Sequence, residues 1–475
     1  MKKGFYFISF ALIICFSVPA QVGIGTESPA VSSILDVAST ESGVLLPRMT
    51  TVQRSAITDP DNGLTVFDTD TQSYYFYNAT EASWESLSSS RLERDNYVLV
   101  KSQDDFPDPV GGKITLDPNT FYEINGIISL DASIELNGAY ISGLDSFQDE
   151  LNKPNGDLFV GNTGGTIRFL SLSGVGNAFN VSGGTSVIVQ NTVIHDFSNV
   201  GTISNVNLVF LNTVQYLNNS NGIVFSDIDN LLINNAAWQA SNSGTFEKFV
   251  GSFDLIQKAS GFSITNGSAI AIDVSENPIV GDGVITGTVF TGTSTTKVNK
   301  YTTTPLNTNF TKNWFIQAPG IKDEYDDVAT GNIYYDGGLN FGYSMTSAAV
   351  GTAFKLTGGD VNSNLLRFTS DDAIVNRLRY EGKEARAFFV NASLSVRGTN
   401  RQGDFYSFFI RVNGNTTLNR TNAIFYVDNI TNVSSISLSG TVVLNPNDFV
   451  EIWAQKLTGT ESGNLTIFSQ NLNIN

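Results

Sequence analysis

One cysteine serves the 475 residues, Cys15, and it lies in the first apolar run. No disulfide can therefore form downstream, and packing and hydrogen bonds alone must hold the folded part together. Basic residues are scarce: 27 Lys and Arg stand against 45 Asp and Glu, a net charge of −18. Such a balance argues against nucleic acid, whose phosphates it repels, and against anionic membrane surfaces. One histidine, His195, is present. Beyond the N-terminal run no stretch of 18 apolar residues exists, so no membrane insertion is expected once that run is removed.

That run is informative. Lys2 and Lys3 precede Gly4 to Val18, which is rich in Phe, Ile and Leu and ends in Val18-Pro19-Ala20. The pattern reads as a secretory signal peptide over residues 1–20, cut between Ala20 and Gln21. It is short for a bilayer-spanning anchor, which needs about 20 apolar residues. Ile14 before Cys15 is too bulky for a lipoprotein site. Removing Lys2 and Lys3 takes the charge to 25 − 45 = −20. The expected location is secreted or cell-surface.

Residues 21–90 carry a dense series of short motifs. Val22-Gly23-Ile24-Gly25-Thr26 leads to Leu35-Asp36-Val37, then Gly43-Val44-Leu45-Leu46-Pro47-Arg48-Met49-Thr50 and Gln53-Arg54-Ser55-Ala56-Ile57. Asp61-Asn62-Gly63-Leu64 is a turn entering a strand. Tyr74 to Tyr77 and Trp84 close the series. A short helix over 49–57, capped by Thr50 or Thr51, and a hairpin of Leu64–Phe67 with Tyr74–Tyr77 are predicted. This series resembles the leader of modular bacterial surface and tail-fibre-like proteins. The resemblance implies a surface-fibre context and no particular activity.

From about 95 to 300 apolar runs recur. Val187-Ile188-Val189-Gln190-Asn191 returns as Leu208 to Asn212, as Leu231 to Asn235, and loosely at Leu255, with Ile167 to Leu170 as an earlier copy. Short β runs at periods of about 20–25 residues predict a parallel β-solenoid, whose coils stack to share one core. Val187, Leu208 and Leu231 are expected on one stacked sheet, and Asn191, Asn212 and Asn235 in one amide ladder. Thr120 to Gly126 and Ile134 to Gly138 resemble the first coils of right-handed β-helix proteins. Residues 166–246 contain four charged residues, Arg168, Asp196, Asp227 and Asp229. So bland a surface suits faces covered by other chains or a Ser/Thr/Asn-coated shaft, and either suits a fibre.

Some solenoids cut polysaccharides. A lyase on an acidic polymer needs cations, and 161–290 offers only Arg168, Lys248 and Lys258. A hydrolase needs two carboxylates roughly 5–9.5 Å apart. Asp227 and Asp229, with Asp254 or Asp196, are the candidates, and turn positions are the plainer reading of each. His195-Asp196 gives no nucleophile pairing. The acidic run Asp323 to Asp327 lacks an EF-hand's spacing and glycine, and reads as a solvated linker.

Between about 310 and 475 the pattern alternates. Phe388, Val390, Ala392, Leu394 and Val396 share one face, and Tyr406, Phe408, Ile410 and Val412 repeat the pattern before Asn413-Gly414. This predicts an antiparallel sandwich. With Val442-x-Leu444-x-x-x-Asp448-x-Val450-x-Ile452 it resembles the jelly-roll head of complement-type and tumour necrosis factor-like proteins. Asn447 replaces the usual glycine of that motif. The resemblance implies trimers that bind through the head, without catalysis. Phe389, Phe405, Phe409 and Trp453 lie on the faces opposite the inward sets and are expected at the subunit contact.

The reading is mainly β: signal peptide 1–20, leader 21–90, β-helix 95–300, jelly roll 310–475. The expected function is an attachment fibre, a homotrimer with a glycan or surface ligand, no nucleic-acid partner and no enzymatic activity. No catalytic, cofactor-binding or metal residue is assigned. The alternatives are a β-helix polysaccharide hydrolase or lyase, and a matrix component.

Overall fold

A computed structural model describes residues 21–87, 96–304, 307–358, 361–370, 376–459 and 463–475. The expected signal peptide lies outside the described residues. The chain divides into two units, Met1–Asp95 and Asn96–Asn475. It is mainly β, with 53% strand and 3% helix.

In the first unit, strands Thr65–Asp68, Ser73–Asn78 and Ser83–Ser86 form an antiparallel meander, and Arg48–Met49 adds a parallel edge. Helix Thr51–Ser55 starts at a capping box: Thr50 accepts from the Gln53 N–H and Gln53 Oε1 from the Thr50 N–H. The helix delivers Arg54 to Asp68 at 2.9 Å, and its guanidinium lies 3.8 Å over the Tyr75 ring. Burial pushes the Asp68 carboxyl up. Hydrogen bonds from Thr51, Arg54 and the Thr71 and Asp70 N–H groups outweigh it and hold it at about 2. Ahead of this meander the strand pair Val22–Ile24 and Leu35–Val37 leaves apolar side chains in the open, with Val31 96% and Ile34 80% exposed.

In the second unit, residues 97–317 wind into a parallel β-solenoid, the shaft. The coil Ser186–Asn205 shows the plan. Ser186–Gln190 forms a first face, Thr192–His195 a second and Asn199–Ser204 a third. The bends fall at Asn191, Asp196 and Asn205, each with a left-handed backbone (φ 50°, 63° and 55°). Asn and Asp adopt that region more readily than other non-glycine residues. Inward positions stack aliphatic on aliphatic, as in Ile141, Ile167, Val189, Leu211 and Ile233.

The register of the stack corrects the sequence reading at one point. Val187 pairs with Val209, which pairs with Leu231. Leu208 sits one residue off, between Ser186 and Asn230. A one-residue slip turns a side chain to the opposite face, so Leu208 points outward. The single amide ladder likewise resolves into two adjacent columns. Asn212 and Asn234 stack at 2.9 Å, while Asn191, Thr213, Asn235 and Ser260 share the first bend.

On the first face one outward register position runs the whole length of the shaft. Its occupants are Tyr97, Phe121, Tyr140, Thr166, Ile188, Phe210, Leu232, Gln257, Val284 and Phe315. Phe315 belongs to the shaft's last strand, Trp314–Gln317, so the solenoid extends past residue 300.

The head that follows has two antiparallel sheets. One contains Thr330–Tyr334, Asn464–Ile474, Arg386–Gly398 and Ser434–Leu444; the other contains Leu378–Tyr380, Phe449–Lys456 and Phe405–Val412. Phe388, Val390 and Leu394 face Phe408, Ile410, Val450 and Ile452 across one core. Asn447 takes φ 73°, the conformation for which the motif's usual glycine is suited. Of the four aromatics expected at a subunit contact, Phe389 and Phe405 are exposed and Trp453 is half-buried. Phe409 is a correction: it is buried, beside Trp453 in the register and with the Arg411 guanidinium 5.4 Å from its ring.

Candidate functional site

Of the carboxylates singled out in the sequence, Asp229 and Asp254 come side by side on adjacent coils, one position before the Asn230–Leu255 pair, while Asp196 lies apart from them. Asp227 holds a bend at φ 53°, accepts from the Ser226 hydroxyl at 2.7 Å and caps the Ser252 N–H at 3.0 Å. Asp229 and Asp254 are exposed on neighbouring coils, and Asp196 lies at a different bend. Among the described residues no group of three or more His, Cys, Asp or Glu could hold a metal ion.

The third face of the shaft carries a groove of about 360 Å³. Asn177, Asn199 and Asn221 occupy one register position on three successive coils, and Thr245 the next. Strand spacing puts such neighbours about 4.8 Å apart. Thr202, Val224 and Lys248 line the adjacent position. Gly201 and Gly222 in its lining let adjacent coils stack closely: a Cβ on either would meet the carbonyl oxygen of Phe179 or Phe246 at 1.9 Å. Of the charges at its ends, the cation is ion-paired and the carboxylate is only hydrogen-bonded. Lys248 reaches Glu276 at 3.1 Å, and Asp157 accepts from the side-chain amides of Asn177 at 2.7 Å and Asn180 at 2.9 Å. The side-chain amides of Asn199 and Asn221 make no protein hydrogen bond among the described residues. These residues went unnoticed in the sequence, although Asn177, Asn199 and Asn221 recur at an even spacing of 22.

The second face carries the one histidine. His195 Nδ1 lies 2.7 Å from Asp196 Oδ2, and Nε2 lies 3.9 Å from Glu150 Oε2. The bond from His195 holds the Asp196 carboxyl below its ordinary range, against burial. Ser173, next to His195 in the register, donates to Glu150 and accepts from Asn152 Nδ2 at 2.6 Å. Sequence distance hid this cluster, because its members come from three coils.

A larger pocket of about 380 Å³ lies where shaft meets head. Its ions are largely committed to one another: Lys383 to Asp282 at 2.7 Å, Arg386 to Asp327. The run Asp323 to Asp327 beside it is no solvated linker. Glu324 is fully buried, bridges backbone to backbone with Ile316, and accepts from the Asn309 and Phe310 N–H groups at 2.7 and 3.0 Å. Burial pushes its carboxyl up, and those bonds oppose the shift.

No helix among the described residues is long and apolar enough to cross a membrane. Comparison with known proteins gives a partial picture. Residues 23–101 match the family described as Phage tail like trimerisation region. This supports a tail or attachment protein that assembles in threes. Among curated proteins no relative matches. A structure of the infectious bursal disease virus Gx strain matches at 13% identity and TM-score 0.19; the match covers 34% of this chain and 36% of that one. The enzymatically active domain of Bacteriophage CBA120 tailspike protein 2 matches at 10% identity and TM-score 0.21, over 88% of this chain and 89% of that one. The corresponding domain of tailspike protein 4 matches at 10% and 0.21, over 91% and 77%. These names overturn the expectation of a chain without enzymatic activity, since two matching structures are called enzymatically active. With scores this low they bring no active-site residue to this chain. What stands is a tail-like β-solenoid protein with a trimerisation-type leader.

Proposed function

We propose that this chain is an exported attachment protein that works as a homotrimer and binds an uncharged glycan along the third face of its shaft. The match at residues 23–101 supports the tail-like, trimeric part. The observation that carries the glycan reading is the pair of unpartnered amides, Asn199 and Asn221, stacked in one groove. Each amide offers two donors and an acceptor, the complement of sugar hydroxyls. Lys248 is already paired with Glu276 and Asp157 keeps its negative charge at the other end, so the groove suits neutral sugars better than acidic ones. Three grooves on one trimer would raise the effective affinity of weak contacts.

A glycan array probed with the mature chain tests this. Asn199→Ala with Asn221→Ala is expected to lower the affinity for the strongest neutral ligand about tenfold or more, each hydrogen bond contributing about 0.5–1.5 kcal/mol. Binding unchanged by the double substitution removes the groove from the account.

One cluster favours a second reading, in which the bound polymer is also cut. His195 lies between Glu150 and Asp196, and carboxylates flanking a scissile bond perform glycoside hydrolysis. Release of new reducing ends from a bound polysaccharide, abolished by Glu150→Gln and by Asp196→Asn, would support it. Release that survives both substitutions would exclude this cluster.

A further inference from the structure

We infer that the outward stripe on the first face of the shaft is the seam along which three copies of this chain pack around a common axis. The inference rests on the homotrimer reading above and goes further by naming the surface. On the other two faces the outward columns are broken: Glu150 and Gln215 interrupt Ile127 and Val193 on the second, and Asn180, Thr202 and Lys248 interrupt Val160 and Val224 on the third. The first-face column is apolar or aromatic at every position but Thr166 and Gln257. Tyr97 and Phe315, at its two ends, are 40% and 39% exposed, and Phe121, Ile188, Phe210 and Leu232 between them are half-buried. Exposed apolar residues elsewhere on the shaft, such as Ile127 and Ile279, stand singly, whereas a near-continuous apolar stripe of this length marks a partner.

The partner is a second copy for two reasons. The stripe begins at Tyr97, inside the stretch that matches a trimerisation region and ends at residue 101, so the seam continues that interface. It also repeats once per coil at a single register position, and a partner that fits all of it must be as long and as regular as the shaft itself. The column beside it is nearly free of charge, with Gln190, Asn212 and Asn234 in mid-shaft, as the core of an interface requires. Packed around the axis on the first face, the three shafts keep the grooves on their third faces clear of it.

The mature chain has no cysteine, so single thiols can be placed at will. Light scattering first fixes the mass. In the trimer, Phe210→Cys treated with a short bis-maleimide is expected to give covalently linked dimers and trimers, and Gln215→Cys on the second face none. Phe210→Glu, whose side chain points outward and leaves the coil's core intact, is expected to raise the protein concentration needed for assembly at least tenfold, with an unchanged β circular dichroism spectrum. A trimer in which Phe210→Cys does not link and Phe210→Glu assembles normally overturns the seam and leaves the trimer standing. A monomeric native chain overturns both.

Discussion

At the scale of single residues, the shaft holds a buried ion pair where its pattern demands aliphatic carbon. Lys258 stands in the inward column of Leu211, Ile233 and Ile285, and Glu247 in that of Ile223 and Ile272. Both are 1% exposed and meet at 2.7 Å, with the ammonium 5.0 Å from the Phe246 ring. Burial pushes the Glu247 carboxyl up and Lys258 pulls it back down. Desolvating two ions costs more than most pairs return, whereas removing one partner strands the other. Lys258→Met is therefore expected to cost about 3–5 kcal/mol, and Glu247→Leu combined with Lys258→Met to recover most or all of it. Chemical denaturation of the three proteins measures this. A double variant as unstable as the single one would show that the pair itself, and not the stranded charge, stabilises the coil.

Among elements, the bend between the first and second faces shows how the stack is specified. Phe169, Asn191, Thr213, Asn235 and Ser260 all take φ between 50° and 57° there. Thr213 is β-branched, and an L residue other than Gly, Asn or Asp in that region costs roughly 1–2 kcal/mol. Thr213→Asn is expected to raise the thermal midpoint, by up to that amount in free energy, because the new amide suits the bend and lies between Asn191 and Asn235. A lowered midpoint would mean that the 3.4 Å contact from Asn235 Nδ2 to Thr213 Oγ1 outweighs the strain. The same bends explain what the sequence made legible. Triplets such as Val187-Ile188-Val189 and Leu231-Leu232-Ile233 revealed the coils, since a strand apolar on both faces reads as an unbroken run. The unbroken run also concealed the register, because apolar residues on both sides of the strand let Leu208 pass for Val209. The groove was hidden for a different reason: one isolated Asn per coil carries no hydrophobic signal. Glu324 looked solvated because its buried partners are backbone N–H groups, which no composition records.

For the molecule as a whole, one buried guanidinium stands at the centre of the joint between shaft and head. Arg367, 7% exposed, donates to the carbonyls of Trp314 at 2.6 Å and Glu324 at 2.9 Å. Trp314 belongs to the shaft's last strand, and Arg367 stands in the head between strands Val361–Leu366 and Phe368–Thr369. Its Nε meets Asp326 at 3.2 Å, and Asp326 also accepts from the Tyr380 hydroxyl at 3.2 Å and the Lys383 N–H at 2.7 Å. Burial pulls the Arg367 guanidinium down while Asp326 and Glu324 hold it charged. Arg367→Leu would leave Asp326 without its ion and take a donor from the Trp314 and Glu324 carbonyls, the latter keeping the Ile316 N–H, a loss of about 3–5 kcal/mol by the rule for broken buried pairs. Each side keeps its own hydrophobic core, Ile285 and Ile316 in the shaft and Tyr380 and Phe388 in the head. The loss should therefore fall on their coupling more than on either core. In calorimetry, native shaft and head are expected to melt in one transition, and in Arg367→Leu the head is expected to melt first and separately. A single transition merely shifted to lower temperature would mean that the joint is held by the wider junction, including the Lys383–Asp282 pair at 2.7 Å, and not by Arg367.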